Sequence, residues 1–333
     1  KQTKIERCDM FDFRPYCGQD QAPDPEIFNR FGGFYLERFF ATKKVDIKTT
    51  LLWKYFCTCF GHDPDGLTPT AKVEDIWNRI AFWIQYPYIR TEKLYCLTSR
   101  EQGTGKSFFY HIMKALLGSD LAVFHCSLKT FLTEFDSTNG CKLLHLIDDL
   151  EGAKNKTRKL FSEITVKEKT YNQKFMNPVT LPEYSECVIT GNDAACSLFI
   201  SSDDRRILIY QIASYLKGNK QFWTDLAQEI RCLNPMKAWY EFFKARDLST
   251  FDYTTAEQSC QLDKRRIIMK QRPKTHQFLE ELFTRYTFLT DFIQDPYRHP
   301  ITSPISLIHV RKICKKHKQK DRLGTIHIRI DRE

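Results

Sequence analysis

Residues 94–117 constrain this chain more than any other stretch. An apolar run, Leu94-Tyr-Cys-Leu-Thr98, leads into Arg100-Glu-Gln-Gly-Thr-Gly-Lys-Ser107, and an amphipathic segment from Phe108 to Leu117 follows. Strand, glycine-rich turn and helix in that order form the context that a phosphate-binding loop requires. Gly103 and Gly105, flanking Thr104, let the backbone bend around a polyphosphate, and the N–H groups at the helix start point at its anionic oxygens. Lys106 is placed to reach the β- and γ-phosphates, and the Ser107 hydroxyl to ligate Mg²⁺. Arg100 stands where the usual pattern has glycine, a departure that some phosphate loops share. A plain turn before a helix would leave the Lys106-Ser107 pair unexplained.

Downstream of residue 94 the pattern alternates. Strands are expected near 94–98, 121–126, 143–148, 186–191 and 206–212, with helices near 106–117, 128–135 and 154–164. This alternation predicts an α/β fold with a central parallel sheet, a P-loop ATPase core over residues 91–213. Upstream, residues 1–45 lack periodicity and carry Pro15, Pro23, Pro25 and Gly32-Gly33, which reads as a linker from a missing upstream module. Residues 46–90 read as a helical collar or oligomerisation segment. One helix is expected from Ile47 to Phe60 and another from Val73 to Tyr86, with Val73, Ile76, Trp77, Ile80, Ala81, Trp83 and Ile84 on its apolar face. Residues 214–260 read as a helical extension, with a basic connector from Gln261 to Lys274. Residues 261–333 form a basic C-terminal region that could build a winged-helix-like module.

The chemistry narrows with the second motif. Leu143-Leu-His-Leu-Ile-Asp-Asp-Leu150 is a buried strand ending in two acids. Beside a nucleotide loop, Asp148 would help hold Mg²⁺ and Asp149 would polarise the attacking water, with Glu151 as its rival. His145 reads as a core histidine. Cys187-Val-Ile-Thr-Gly-Asn192 is a third apolar strand, and its terminal Asn192 could orient water near the γ-phosphate. Asp203-Asp-Arg-Arg206 then offers an arginine for transition-state charge, Arg205 first and Arg206 second. Between the acids and Asn192, residues 167–182 read as a lysine-rich hairpin with interleaved aromatics. Lys167, Lys169, Lys174 and Phe175 there suit single-stranded nucleic acid, cations meeting phosphates and rings meeting bases.

Together these elements resemble superfamily 3 helicases of viruses, phages and mobile elements, the primase-helicase type above all. Phosphate loop, paired acids, basic hairpin, a strand ending in Asn and then Asp-Arg-Arg follow one another in the family's order. Phe28-Asn-Arg-Phe-Gly-Gly-Phe34, Trp77 to Pro87 and Tyr215 to Trp223 are also similar, so the resemblance spans roughly residues 27–252. It implies an AAA+-like fold, a homo-hexameric ring with ATP at subunit interfaces, DNA in the channel, and 3′→5′ movement on single-stranded or forked DNA. It implies that Lys106, Ser107, Asp148, Asp149, Asn192 and Arg205 are the working residues, with Lys174 as the hairpin lysine, and that a primase or nuclease module lies upstream. Asp-Asp in place of the more frequent acid pair containing Glu is a second departure from the family pattern.

Charge agrees with a polyanionic partner. The net charge is +10, and residues 261–333 hold seventeen Lys and Arg against eight Asp and Glu, so most of the excess sits there. A solvated tail is the plainer reading of the same composition. The twelve cysteines lack Cys-x-x-Cys spacing and read as reduced thiols of an intracellular protein. No apolar run reaches membrane-spanning length, and the expected location is a viral replication site, in cytoplasm or nucleus. The chain begins with Lys, which suggests a piece of something longer. Two rival functions remain at this stage: a P-loop NTPase or kinase of another class, and a non-catalytic DNA-binding ring.

Overall fold

The computed structural model describes residues 10–15, 27–133, 139–148, 153–171, 178–192 and 204–271. The chain divides into two compact units, Lys1–Ile267 and Ile268–Glu333. The first is built on five parallel strands: β3 (Leu94–Ser99), β4 (Ala122–His125), β5 (Leu144–Asp148), β8 (Glu186–Asn192) and β9 (Ile207–Gln211). Their order across the sheet is β4-β5-β8-β3-β9. All six residues of β3 are buried, as expected for a central parallel strand covered on both faces. Register sets the working edge. Ser99 of β3 lies opposite Asn192 of β8, and Asp148 of β5 lies opposite Thr190. Three strand ends from distant parts of the chain thus meet at one rim.

Helix α3 (Phe108–Leu117) leaves that rim and returns across the sheet, burying Phe109, Ile112, Met113, Leu116 and Leu117. The spacing is that of one apolar helix face. Short α4 (Leu128–Phe131) and α5 (Ala153–Thr165) follow the second and third strands. Helix α2 (Ala71–Gln85) buries the seven residues its periodicity marked. Its Trp77 packs between Trp53 and Trp239, with ring centroids 4.9 and 5.8 Å away. On the same helix Arg79 is 1% exposed. Asp75 (3.1 Å), the Tyr210 hydroxyl (2.8 Å) and the carbonyls of Tyr253 (3.2 Å) and Thr255 (2.8 Å) hold its guanidinium, tying α2 to β9.

Several elements differ from the sequence expectation. The stretch 47–60 is three short pieces: a 3-10 turn Ile47–Thr49, α1 (Leu51–Tyr55) capped by Thr50, and a π-helical turn Phe56–Phe60. The wider turn accommodates Tyr55, Phe56 and Phe60, whose centroids lie 5.5–6.0 Å apart in the core. Residues 1–45 do more than link. β1 (Met10–Asp12) pairs in parallel with β2 (Ile27–Asn29), and Phe13, Phe34 and Leu36 enter the core. Isolated anchors of this kind leave no periodic signature. The extension holds two helices, α6 (Lys220–Glu229) and α7 (Leu233–Lys244). The expected connector after Gln261 is the body of α8 (Gln258–Gln271), because its Gln, Leu, Lys, Arg and Met residues are good helix formers with no proline among them. Residues 272–333, which include the expected winged-helix-like elements, lie outside the described residues. Among those described, no helix is long and apolar enough to cross a membrane.

At the other rim, where the strands begin, Glu186 is 3% exposed. Its carboxylate accepts the Thr91 N–H (2.7 Å) and hydroxyl (2.6 Å), and Thr91 Oγ1 also meets the Tyr95 hydroxyl at 2.8 Å. Burial raises the Glu186 carboxyl to about 7, against the opposing pull of Thr91 and Arg90. The folded value lies above the unfolded one, so folding binds a proton between them and stability falls as pH rises through about 4.5 to 7. Glutamine keeps this network neutral, accepting from Thr91 N–H and donating to Thr91 Oγ1. Glu186→Gln should therefore gain on the wild type across that window, by on the order of 3 kcal/mol above it. Thermal melts at pH 5 and pH 8 check this, and a gap that does not widen with pH refutes it.

Candidate active site

The loop after β3 is shaped by two left-handed glycines, Gly103 at φ +72° and Gly105 at φ +90°. A Cβ at Gly103 would meet nothing within 4 Å, whereas one at Gly105 would come 2.1 Å from Trp223 Cη2. Any side chain at Gly105 therefore clashes as well as strains. Trp223 is fixed by its Nε1–H to the Leu216 carbonyl at 3.1 Å, and Tyr55 donates to the Gly105 carbonyl at 3.2 Å. The exposed pair Lys217–Glu101, at 2.6 Å, ties the start of the loop to the segment before α6. The ammonium holds the Glu101 carboxyl below its ordinary value.

Inside this frame the candidate side chains converge. Lys106 Nζ donates to Ser99 Oγ at 2.5 Å and to the Glu101 carbonyl at 3.3 Å. Thr104 is buried and bonds Ser99 Oγ at 3.1 Å. Ser107 Oγ lies 3.2 Å from both oxygens of Asp148, and the Thr190 hydroxyl donates to Asp148 Oδ1. Asn192 stands at the same rim, in register with Ser99. Ser99 and Thr190 were missed by sequence reasoning. Each is a small hydroxyl within an apolar strand, and only the register reveals that it faces the loop. Asp149 and Glu151 lie outside the described residues.

Arg205 is elsewhere. It sits in the turn before β9, where the Leu94 N–H donates to the Arg206 carbonyl at 2.7 Å. That is the starting end of β3, and the loop leaves the other end. Six strand residues separate them, or ~20 Å at about 3.3 Å each. Arg205 is exposed and borders a cavity of about 900 Å³ also lined by Arg90, Lys93 and Arg206. Arg206, the second choice, is engaged: Nε and NH2 bind Asp204 at 3.0 and 2.8 Å, and the guanidinium lies 4.2 Å from the Phe161 ring centroid.

The hairpin strands are β6 (Glu168–Tyr171) and β7 (Val179–Pro182), antiparallel. Its apex, with Lys174 and Phe175, lies outside the described residues. Lys167 precedes β6 and is exposed. Lys169, grouped by sequence with the DNA-facing lysines, turns back instead. It pairs with Glu163 at 2.7 Å and lies 5.6 and 5.8 Å from the Phe131 and Tyr171 ring centroids. His145 is a core residue, 3.0 Å from the His125 ring nitrogen, and burial pushes it well below the usual histidine range.

Comparison with known proteins adds one family and one fold. A family of unknown function, DUF5906, matches residues 97–206. That stretch runs from within β3 to the residue before β9 and contains every candidate site residue predicted from the sequence. No curated protein matches the chain. An A-form apo structure of the NrS-1 C-terminal region is similar at a TM-score of 0.60 and 19% identity, over 91% of this chain and 71% of that one. An apo structure of NrS-1 residues 305–718 gives 0.60 at 18% identity, over 91% and 70%. A further A-form structure of that region gives 0.59 at 19% identity, over 92% and 72%. At such identities the likeness is one of fold.

Proposed function

We propose that this chain is the motor portion of a ring-forming DNA helicase. In this reading it hydrolyses ATP with Mg²⁺ and moves along single-stranded DNA, 3′→5′ by the family resemblance. One observation carries the reading: the candidate residues divide between the two ends of one sheet. Ser99, Lys106, Ser107, Asp148, Thr190 and Asn192 gather at one rim, while Arg205 stands exposed at the other, ~20 Å off. A self-contained kinase has no use for an arginine that far from its own phosphate loop. A ring does, because each subunit's arginine can complete its neighbour's site.

The residues at the first rim fit nucleotide and metal. Ser107 and Asp148 offer hard oxygens, the ligand type that Mg²⁺ takes, and would hold it. Bound there, Mg²⁺ would neutralise phosphate charge. Lys106, which donates here to Ser99 Oγ and the Glu101 carbonyl, would turn to a phosphate oxygen in a bond charged on both sides. A Cβ at Gly103 would meet nothing within 4 Å, so the loop is open on that side for a ligand to approach its backbone. Asn192 would orient water, and Asp149 would take up its proton. Lys167, Lys174, Phe175 and the basic residues 261–333 would contact DNA. In the assembled protein, six copies would form the ring and an upstream primase or nuclease module would precede it.

Forked DNA with a 3′ single-stranded tail tests the reading. The chain, with ATP and Mg²⁺, is expected to separate the strands and to hydrolyse ATP faster when single-stranded DNA is added. ATP turnover indifferent to DNA, with phosphate passed to a small acceptor, would move the protein to another P-loop class.

A further inference from the structure

The turn that carries Arg205 is held from three sides, and among the described residues the Arg205 side chain takes no part in that hold. Burial works against the Asp204 carboxylate, yet its bonds from the Arg206 side chain and N–H hold it below the usual range. Arg206 in turn lies on Phe161 of α5. The Arg205 carbonyl accepts Lys93 Nζ at 2.9 Å. Lys93 is 7% exposed, and burial, then the nearby Arg79 and Arg205, lower its pKa. The preceding carbonyl, that of Asp204, accepts Lys264 Nζ from α8. Arg205 itself makes no side-chain hydrogen bond or ion pair among the described residues.

Helix α8 is well placed to act as a fixed support. Asp263, next to Lys264, pairs with the buried Lys72 of α2 at 2.5 Å and accepts the Gln211 N–H, at the end of β9, at 3.0 Å. Ile267 and Cys260 are buried beside it. Adjacent residues of one helix thus hold both ends of the edge strand whose leading turn presents Arg205.

We propose that Lys264 is a positioning residue for Arg205, fixing the 204–206 turn so that the guanidinium reaches a neighbouring copy's site in one geometry. The inference rests on the ring reading above. A misplacement of about 1 Å in such a site costs roughly 10²-fold in rate, so Lys264→Met should lower kcat for ATP by about 10–100-fold with KM little changed. Lys264→Arg, which keeps a long cationic donor, should recover most of the rate. If the Met variant melts early, Lys264→Gln replaces it, being too short to reach the carbonyl.

Mixing decides where the lesion acts. Lys264→Met retains a good phosphate loop and Lys106→Ala a good Arg205 turn, so mixed rings gain competent interfaces and activity should exceed that of Lys264→Met alone. An unchanged kcat in Lys264→Met overturns the proposal. So does a lowered kcat that mixing only dilutes, provided the mixture of Arg205→Ala with Lys106→Ala regains activity. If that second mixture also stays inactive although the copies assemble, it is the ring reading that fails.

Discussion

Arg205→Ala should bind ATP as the wild type does and hydrolyse it about 10³–10⁵ times more slowly, the range an arginine finger supplies. The expectation follows from distance. Arg205 lies beyond the start of β3, its own loop leaves the far end of that strand, and an arginine side chain cannot span the ~20 Å between them. On the ring reading, the phosphate it meets belongs to another copy. Lys106→Ala has the complementary lesion, a dead loop beside a sound arginine. Each protein alone should be inactive, and mixing them should create some interfaces with both parts intact, so ATPase activity should return in part. The measurement is steady-state ATP hydrolysis at a fixed total concentration and varied ratio, with co-assembly checked by a tag on one species. Absence of recovery despite co-assembly would remove Arg205 from the neighbouring site and turn attention to its own subunit. Arg206 is the weaker alternative, because freeing it would break its bonds to Asp204 and its stacking on Phe161.

The sequence revealed the sheet well because its central strands are buried on both faces. Continuous apolar runs such as Leu94–Ser99 and Leu144–Asp148 leave little room for another assignment. The placement of Asp148 and Asn192 at one rim was legible for the same reason: they are polar residues where an apolar run stops. Partners that lie within runs were not. Thr190 and Ser99 look like ordinary strand residues until β3, β5 and β8 are set in register. Long-range contacts were also silent. Nothing near Gly105 announces Trp223, and nothing near Lys169 distinguishes an ion pair with Glu163 from a DNA contact. In α8 the cationic composition drew attention to charge, while the structural content lay in Asp263, Lys264 and two buried apolar residues.

Asp148→Asn tests the other rim, and its effect should be about 10²–10³-fold in kcat, the cost of removing one preorganised electrostatic group from a site where charge develops. Asparagine has nearly the same shape, so Ser107 and Thr190 keep one oxygen to donate to, and the fold should survive with little change in melting temperature. What is lost is the negative charge opposite Ser107. If that charge helps hold Mg²⁺, the variant's residual rate should need more Mg²⁺ to saturate, and raising Mg²⁺ should recover part of the loss. Lys106→Ala offers the contrast. In the proposed role it removes a cation that would follow phosphate charge through the reaction, so its rate should be abolished at every Mg²⁺ concentration. Titrating both variants with Mg²⁺ at saturating ATP separates the two roles. A rate for Asp148→Asn close to wild type, or a loss that Mg²⁺ leaves untouched, would show that the carboxylate only buttresses Ser107 and Thr190. The metal would then have to be held by residues that follow Asp148 in the chain.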